Sequence, residues 1–168
     1  MSFYLDERSS QADAAPAERR RALPERMHLS LRREWGCIAR FWSHFEVVRE
    51  GERATFYCRT QAHVRDLPPF QHDLPAAEFE ALWQALQASE PAHWAAEYGQ
   101  ERGILSTGPL YGTLSLAYTL GGQAFSQTIQ FLEDHFDDDA QMQQLYAYLV
   151  EFEEARLEFE AGQREGAD

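Results

Sequence analysis

An acidic run, Glu133–Asp139, holds the residues that could most readily do chemistry, and it includes one histidine, His135. Carboxylates together with a histidine can hold a divalent metal ion. The run lacks the alternating ligands and central glycine of a calcium loop. Asp137, Asp138 and Asp139 also precede a helical pattern, where carboxylates meet unpaired N–H groups and the positive end of the helix dipole. We therefore predict a helix cap, with a metal site as the alternative, and no cofactor.

Candidate nucleophiles are few. The segment 103–108 contains Ser106 between glycines, but a nucleophile elbow requires Gly-x-Ser-x-Gly after a strand, and here one residue too many precedes the serine. Cys58 alternates with Ala54 and Phe56, which predicts a buried, unreactive thiol. No glycine-rich loop joins a strand to a helix, so a phosphate cradle is not expected. We predict a protein that is not an enzyme, with an unrecognised site in the long 91–111 connection as the alternative.

The elements that position these residues follow from the hydrophobic periodicity. Alternating patterns predict three strands after Met27 and a hairpin over 113–131 that turns at Gly121-Gly122. Helical spacing predicts one helix that starts near Leu74-Pro75, with Asp73 as its candidate cap, and another that begins after Asp139 and runs to about Glu160. The fold class is α+β: an antiparallel sheet, formed by a β-meander plus a hairpin in the order β-β-β-α-β-β-α, with two helices packed on one face. Residues 1–26 are interpreted as a polar N-terminal arm, and 27–168 as a single α+β domain.

The second face of the meander combines aromatic and basic residues. The predicted strand register places five side chains on this face: Trp42, His44, Arg53, Tyr57 and Arg59. Such a face could be covered by the arm or by the 91–111 connection. It could instead contact a protein through aromatic anchors, or stack on the bases of single-stranded nucleic acid.

Charge is distributed unevenly along the chain. Residues 1–66 contain 12 Arg and 10 Asp or Glu, whereas residues 67–168 contain 3 Arg and 18 Asp or Glu. We expect the last helix to expose five glutamates, with only Arg156 against them: Glu151, Glu153, Glu154, Glu158 and Glu160. An acidic field repels nucleic acid and anionic membranes and attracts cationic proteins, although simple solubility is the alternative.

Two features that the sequence lacks bear on the cellular compartment of the protein. No apolar run approaches the roughly 20 residues of a membrane span, and no secretory leader pattern begins the chain. With only two cysteines there is no disulfide framework, so we expect reduced thiols and a cytoplasmic protein.

These observations favour a protein-interaction module that docks a cationic protein through its acidic C-terminal half. The expected contact residues are Asp137, Asp138, Asp139, Glu151 and Glu154, with Trp42 and Tyr57 as anchors. The order of elements with an acidic end resembles the architecture of small bacterial immunity and inhibitor proteins, which implies an inhibitor-like role. A single-stranded nucleic-acid binder is the alternative. A homo-oligomer that pairs the Arg-rich part of one copy with the acidic part of another is also compatible with the charge asymmetry.

Overall fold

The computed structural model describes residues 22–36, 41–61, 67–99, 110–132 and 135–166. Within these ranges a seven-stranded sheet has the order β4-β3-β2-β1-β6-β7-β5, and all of its neighbouring strands are antiparallel except β5 and β7. The strands are β1 (Arg26–Trp35), β2 (Phe41–Glu50), β3 (Arg53–Gln61), β4 (Phe70–Asp73), β5 (Glu97–Tyr98), β6 (Tyr111–Leu120) and β7 (Gln123–Leu132). The predicted fold class is confirmed.

Alternation of apolar and polar residues sets the strand register. In β2 and β3 the residues Phe45, Val47, Phe56 and Cys58 are almost fully buried, while their sequence neighbours face away from the core. Because side chains of a strand alternate between faces, each strand contributes one row to the core. The predicted turns also form, since Gly51, Gly121 and Gly122 all have positive φ values that glycine adopts without strain.

Two helices cover one face of the sheet, here called the helix face. Helix α1 (Ala76–Ala88) buries Phe79, Leu82, Trp83 and Leu86, and helix α2 (Ala140–Glu165) buries Met142, Leu145, Leu149 and Phe152. These side chains join the inward rows of the strands in one hydrophobic core. The opposite side of the sheet, here called the open face, carries no helix among the described residues.

β4 and β5 were not predicted from the sequence. β4 has only four residues and lies at one edge of the sheet, where Pro68 and Pro69 end the preceding segment. β5 adds two residues at the other edge, within the expected 91–111 connection, after a 3-10 turn at Pro91–His93. Short edge strands of this kind leave little periodicity to detect.

The predicted cap of α1 is wrong. Pro75 occupies the N-cap position of this helix, and no side chain bonds to its first turn. The Asp73 carboxylate instead accepts hydrogen bonds from Arg53 on β3, at 3.0 Å from Nε. Asp73 is therefore part of the sheet edge.

The end of the expected arm packs against the domain. The Ala22 carbonyl accepts a hydrogen bond from Trp83 Nε1 on α1 at 3.0 Å, and the Pro24 carbonyl accepts one from Arg49 at 2.9 Å. Leu23 contacts the core. The remainder of the arm, residues 1–21, lies outside the described residues.

Candidate functional site

The aspartates before α2 fasten the start of the helix to β5. Asp139 caps the helix, with Oδ1 accepting from Met142 N at 2.9 Å, and its Oδ2 accepts from Tyr98 Oη at 3.0 Å. Asp137 accepts from the backbone N of Gly99 at 3.0 Å. Burial raises the pKa of Tyr98, and the nearby Asp139 acts in the same direction, so the phenol stays protonated and donates. The predicted cap is confirmed.

Only Asp138 of these three has no hydrogen-bond or ion-pair partner among the described residues, and it is exposed. A docked protein would have to compete with the bonds of Asp137 and Asp139. In the described part of the chain, no group of three His, Cys, Asp or Glu side chains is arranged to hold a metal ion. Glu133 and Asp134 lie outside the described residues.

Three glutamates form an acidic stripe along the outer side of α2: Glu151, Glu154 and Glu158. Their spacing of i, i+3 and i+7 places them on one face of the helix, and all three are exposed. No cationic side chain within the described ranges pairs with them, whereas Glu160 is bonded to Arg164 at 2.8 Å. Like charges at this spacing destabilise a helix by about 0.2–0.5 kcal/mol per pair.

The prediction that Glu153 and Arg156 are exposed is wrong. Glu153 is fully buried and paired with Arg33 of β1, while Arg156 is 8% exposed and paired with Glu78 of α1. The Arg156 guanidinium also lies 3.3 Å from the ring centroid of Phe152. Both residues extend the apolar stripe of α2, because they follow Leu149 at i+4 and i+7. The outer face therefore loses the one arginine expected to offset its carboxylates.

Trp42 and Tyr57 lie on the open face, with His44, Arg53 and Arg59, as the register predicted. Trp42 Nε1 donates a hydrogen bond to Gln61 Oε1 at 2.8 Å, and the Arg32 guanidinium carbon lies 5.9 Å from the centroid of the Trp42 ring. Tyr57 is 38% exposed. These side chains are accessible, and each stands among polar neighbours.

His44 is the centre of a small polar network on this face. Its Nε2 lies 3.0 Å from Ser30 Oγ and 3.3 Å from one oxygen of Glu46, whose other oxygen lies 3.6 Å from His28. Burial lowers the pKa of His44, and the nearby Arg32 and Arg59 lower it further. A serine nucleophile requires the orienting carboxylate on the second ring nitrogen of the base. Here serine and carboxylate meet the same nitrogen, so the network is not a catalytic relay.

A shallow cavity of about 440 Å³ adjoins this network, and Tyr57, Arg59 and Gln71 line its other side. Arg53 is held by Asp73, and Arg32 by Glu34. Two basic residues of the open face are thus paired with carboxylates, which lowers the positive charge available to phosphates, whereas Arg59 has no ion-pair partner among the described residues.

The residues expected to form one docking site occupy two separate surfaces. Glu151 and Glu154 lie on the outer side of α2, which covers the helix face, whereas Trp42 and Tyr57 project from the open face. The thickness of the sheet and the helix layer separates them. A single flat interface cannot contain both sets.

Sequence reasoning missed a groove between β4, α1 and α2. Its volume is about 740 Å³, and its walls include His72, Glu78, Tyr148, Arg156 and Phe159. Phe159 is 59% exposed, which is unusual for a phenylalanine. Tyr148, Ala155 and Phe159 lie at i, i+7 and i+11 on α2, so a second apolar line beside the buried stripe was a detectable signal.

The cysteine predicted to be inert is placed in the core. Cys58 is 1% exposed, and burial raises its pKa to about 12, so its thiol remains protonated at neutral pH. Cys37 and the segment with Ser106 lie outside the described residues.

The fold and these surfaces define an α+β protein with one sheet face covered by helices and an acidic outer helix. No protein-family model matches the chain, and no curated protein is significantly similar to it. No helix in the described part of the chain is long and apolar enough to cross a membrane.

Proposed function

We propose that this protein is a non-enzymatic interaction module that docks a cationic protein through the acidic stripe of α2. The observation that carries this proposal is the set of three exposed like charges at helical spacing, with no cation of the described chain opposing them. Such an arrangement lowers helix stability. Sites whose residues lower stability are characteristic of function, because binding compensates for the unfavourable local interaction.

The geometry of the stripe suits a partner with regularly spaced basic groups. Glu151 and Glu158 are seven residues apart, which corresponds to about 10 Å along the helix at 1.5 Å per residue. This length is close to the Debye length of about 8 Å at physiological ionic strength, so the three charges act together on an approaching cation. Electrostatic complementarity of this kind accelerates encounter and fixes orientation more than it adds affinity.

The other proposed contact residues take different places in this proposal. Asp138 lies at the start of α2 and extends the negative surface. Asp137 and Asp139 add negative charge there while their carboxylates remain hydrogen-bonded to backbone N–H groups of the protein. Trp42 and Tyr57 are proposed as anchors of a second contact on the open face. We expect the partner in the cytoplasm, and an inhibitor-like role accords with the acidic outer helix.

The absence of lysine makes a sharp experiment possible. All 15 basic residues are arginines, so a carboxylate activated by a carbodiimide can form an amide only with an α-amino group or with an amine of another protein. Cross-linking in source-cell lysate at about 50 mM and 500 mM NaCl should give a specific adduct that high salt suppresses. Peptide mapping should place the linkage at Glu151, Glu154 or Glu158.

Two matched triple variants control for charge and for folding. The first changes the acidic stripe to glutamine, and the second changes three exposed carboxylates elsewhere: Glu50, Glu52 and Glu97. The stripe variant should lose the adduct and be more stable by about 0.4–1 kcal/mol, since two like-charge contacts are relieved. The second variant should keep the adduct. Equal adduct formation by both variants, or none by the wild type, would reject the proposal. The mass of the adduct, measured by light scattering, shows whether the cross-linked partner is a second copy of this chain.

A further inference from the structure

The groove between β4, α1 and α2 has the dimensions of a small-molecule site. Its volume of about 740 Å³ falls within the roughly 300–1,000 Å³ of ordinary ligand pockets, and its walls are mainly aromatic and alkyl side chains. Tyr148, Phe152 and Phe159 supply three rings from α2, and Ala81 and Ala155 leave space between the helices. Such walls favour a flat, ring-containing body.

Two side chains of the groove have a buried nitrogen without a hydrogen-bond partner. Arg156 is 8% exposed, and its Nε makes no hydrogen bond, although its terminal nitrogens donate to Glu78 and to the Phe152 carbonyl. His72 Nδ1 on β4 is also buried and unpaired. Buried polar atoms are nearly always paired in folded proteins, and an unsatisfied one costs about 1–3 kcal/mol. Arg156 Nε can only donate, and His72 Nδ1 donates in the tautomer that carries its proton there, so an acceptor in the groove could pair with both atoms.

The charges of the groove select a neutral occupant. The Arg156 guanidinium is balanced by Glu78, and Asp73 is balanced by Arg53. Burial lowers the pKa of His72, and the nearby Arg156 acts in the same direction, so the imidazole is neutral at pH 7. An anion would meet Glu78 and Asp73, and a cation would meet Arg156, whereas a neutral acceptor meets no opposing charge.

We propose that this groove binds a neutral, ring-containing small molecule. Its carbonyl or equivalent oxygen accepts hydrogen bonds from Arg156 Nε and His72 Nδ1. The rings of the ligand lie against Tyr148, Phe152 and Phe159, and the oxygen reaches the floor of the groove. This site is independent of the acidic stripe, which lies on the outer side of α2.

The probe for the test is prodan, a neutral naphthyl ketone whose emission shifts to shorter wavelength in apolar surroundings. Wild-type protein should bind one equivalent saturably, with a blue shift. Ala155→Trp fills the groove, and Ala147→Trp places the same side chain at an exposed position of α2 outside it. We expect Ala155→Trp to weaken prodan binding at least tenfold and Ala147→Trp to leave it unchanged, with both variants retaining the wild-type circular dichroism spectrum.

A second probe isolates the acceptor. 2-Propyl-6-(dimethylamino)naphthalene has the same carbon skeleton without the carbonyl oxygen, so it should bind about tenfold or more weakly, the ratio expected for a lost hydrogen bond to a charged donor. Equal affinity for the two probes, equal binding by the two tryptophan variants, or no saturable binding would overturn the proposal. Loss of the cationic protein adduct in Ala155→Trp, without prodan binding by the wild type, would assign the groove to that protein instead.

Discussion

Removal of either partner of the buried pair between Arg33 and Glu153 should destabilise the fold far more than removal of both. Glu153 is fully buried on α2, and the Arg33 side chain on β1 is 13% exposed, so the pair joins the central strand to the last helix away from water. Ser43 Oγ accepts a further hydrogen bond from Arg33 Nε at 3.3 Å. We consider three variants: Arg33→Met, Glu153→Leu and the double substitution.

The magnitudes follow from how deeply each partner is buried. Breaking a buried ion pair by removing one member costs about 3–5 kcal/mol, because the remaining charge is desolvated without compensation. Arg33→Met leaves a carboxylate with no exposed surface and should reach the upper part of this range. Glu153→Leu leaves a guanidinium that can turn partly to solvent, so its cost should lie in the lower part.

The double variant should be within about 1 kcal/mol of the wild type, or more stable by up to about 4 kcal/mol. Burial raises the pKa of the Glu153 carboxyl even though Arg33 beside it acts in the opposite direction. The pKa of Arg33 is also raised, because the attraction of Glu153 opposes its desolvation, so each member of the pair carries a cost of burial and a compensating attraction. An apolar pair of similar volume avoids that desolvation.

Urea unfolding followed by tryptophan fluorescence measures all four proteins, and the double-mutant cycle gives the coupling between the two sites. A Glu153→Leu variant within about 1 kcal/mol of the wild type would show that the pair is solvated. A double variant as unstable as the worse single variant would show that the loss arises from packing rather than from an unpaired charge. Either result refutes the reasoning.

Three further predictions concern the cap, the sheet and pH. Asp139→Ala should lower the free energy of unfolding by about 1–2 kcal/mol, and Asp139→Asn by less, because asparagine retains a capping oxygen; urea titration measures both. Gly112→Ala should destabilise by about 1–3 kcal/mol, since its new methyl group would lie 1.8 Å from Phe131 Cζ, and Phe131→Leu in the same chain should recover part of the loss in thermal unfolding. Since the folded pKa of His72 lies below its ordinary value of 6.5, protonation opposes folding. Stability should therefore fall as pH drops through 6.5, and His72→Phe should flatten that part of the stability curve.

Periodicity was sufficient to predict the long strands, the hairpins and the helices. The alternation in β2 and β3 placed Phe45 and Cys58 inward and Trp42 and Tyr57 outward, and the structure places these four side chains on those faces. Such patterns are readable because one face of each strand is buried and a shift by one residue would reverse both faces.

Polar residues inside the core were the main source of error. Glu153 and Arg156 were assigned to the exposed face by their charge, although their spacing from Leu149 continues the buried stripe. Their burial depends on Arg33 and Glu78, which are 120 and 78 residues away in sequence. Long-range pairing of this kind has no local sequence signal, whereas the groove beside the buried Arg156 had one in the second apolar line of α2, formed by Tyr148, Ala155 and Phe159.

The central position of β1 has a consequence for the protein during its synthesis. β1 pairs with β2 and, along its other edge, with β6, whose residues begin 76 positions after Trp35. A nascent chain therefore carries β1 with one edge unpaired until β6 leaves the ribosome. Open strand edges recruit other chains, and charged side chains deter that pairing. The outward residues Arg26, His28, Arg32 and Glu34, with Arg33 on the other face, give β1 such protection while the second half of the sheet is still missing.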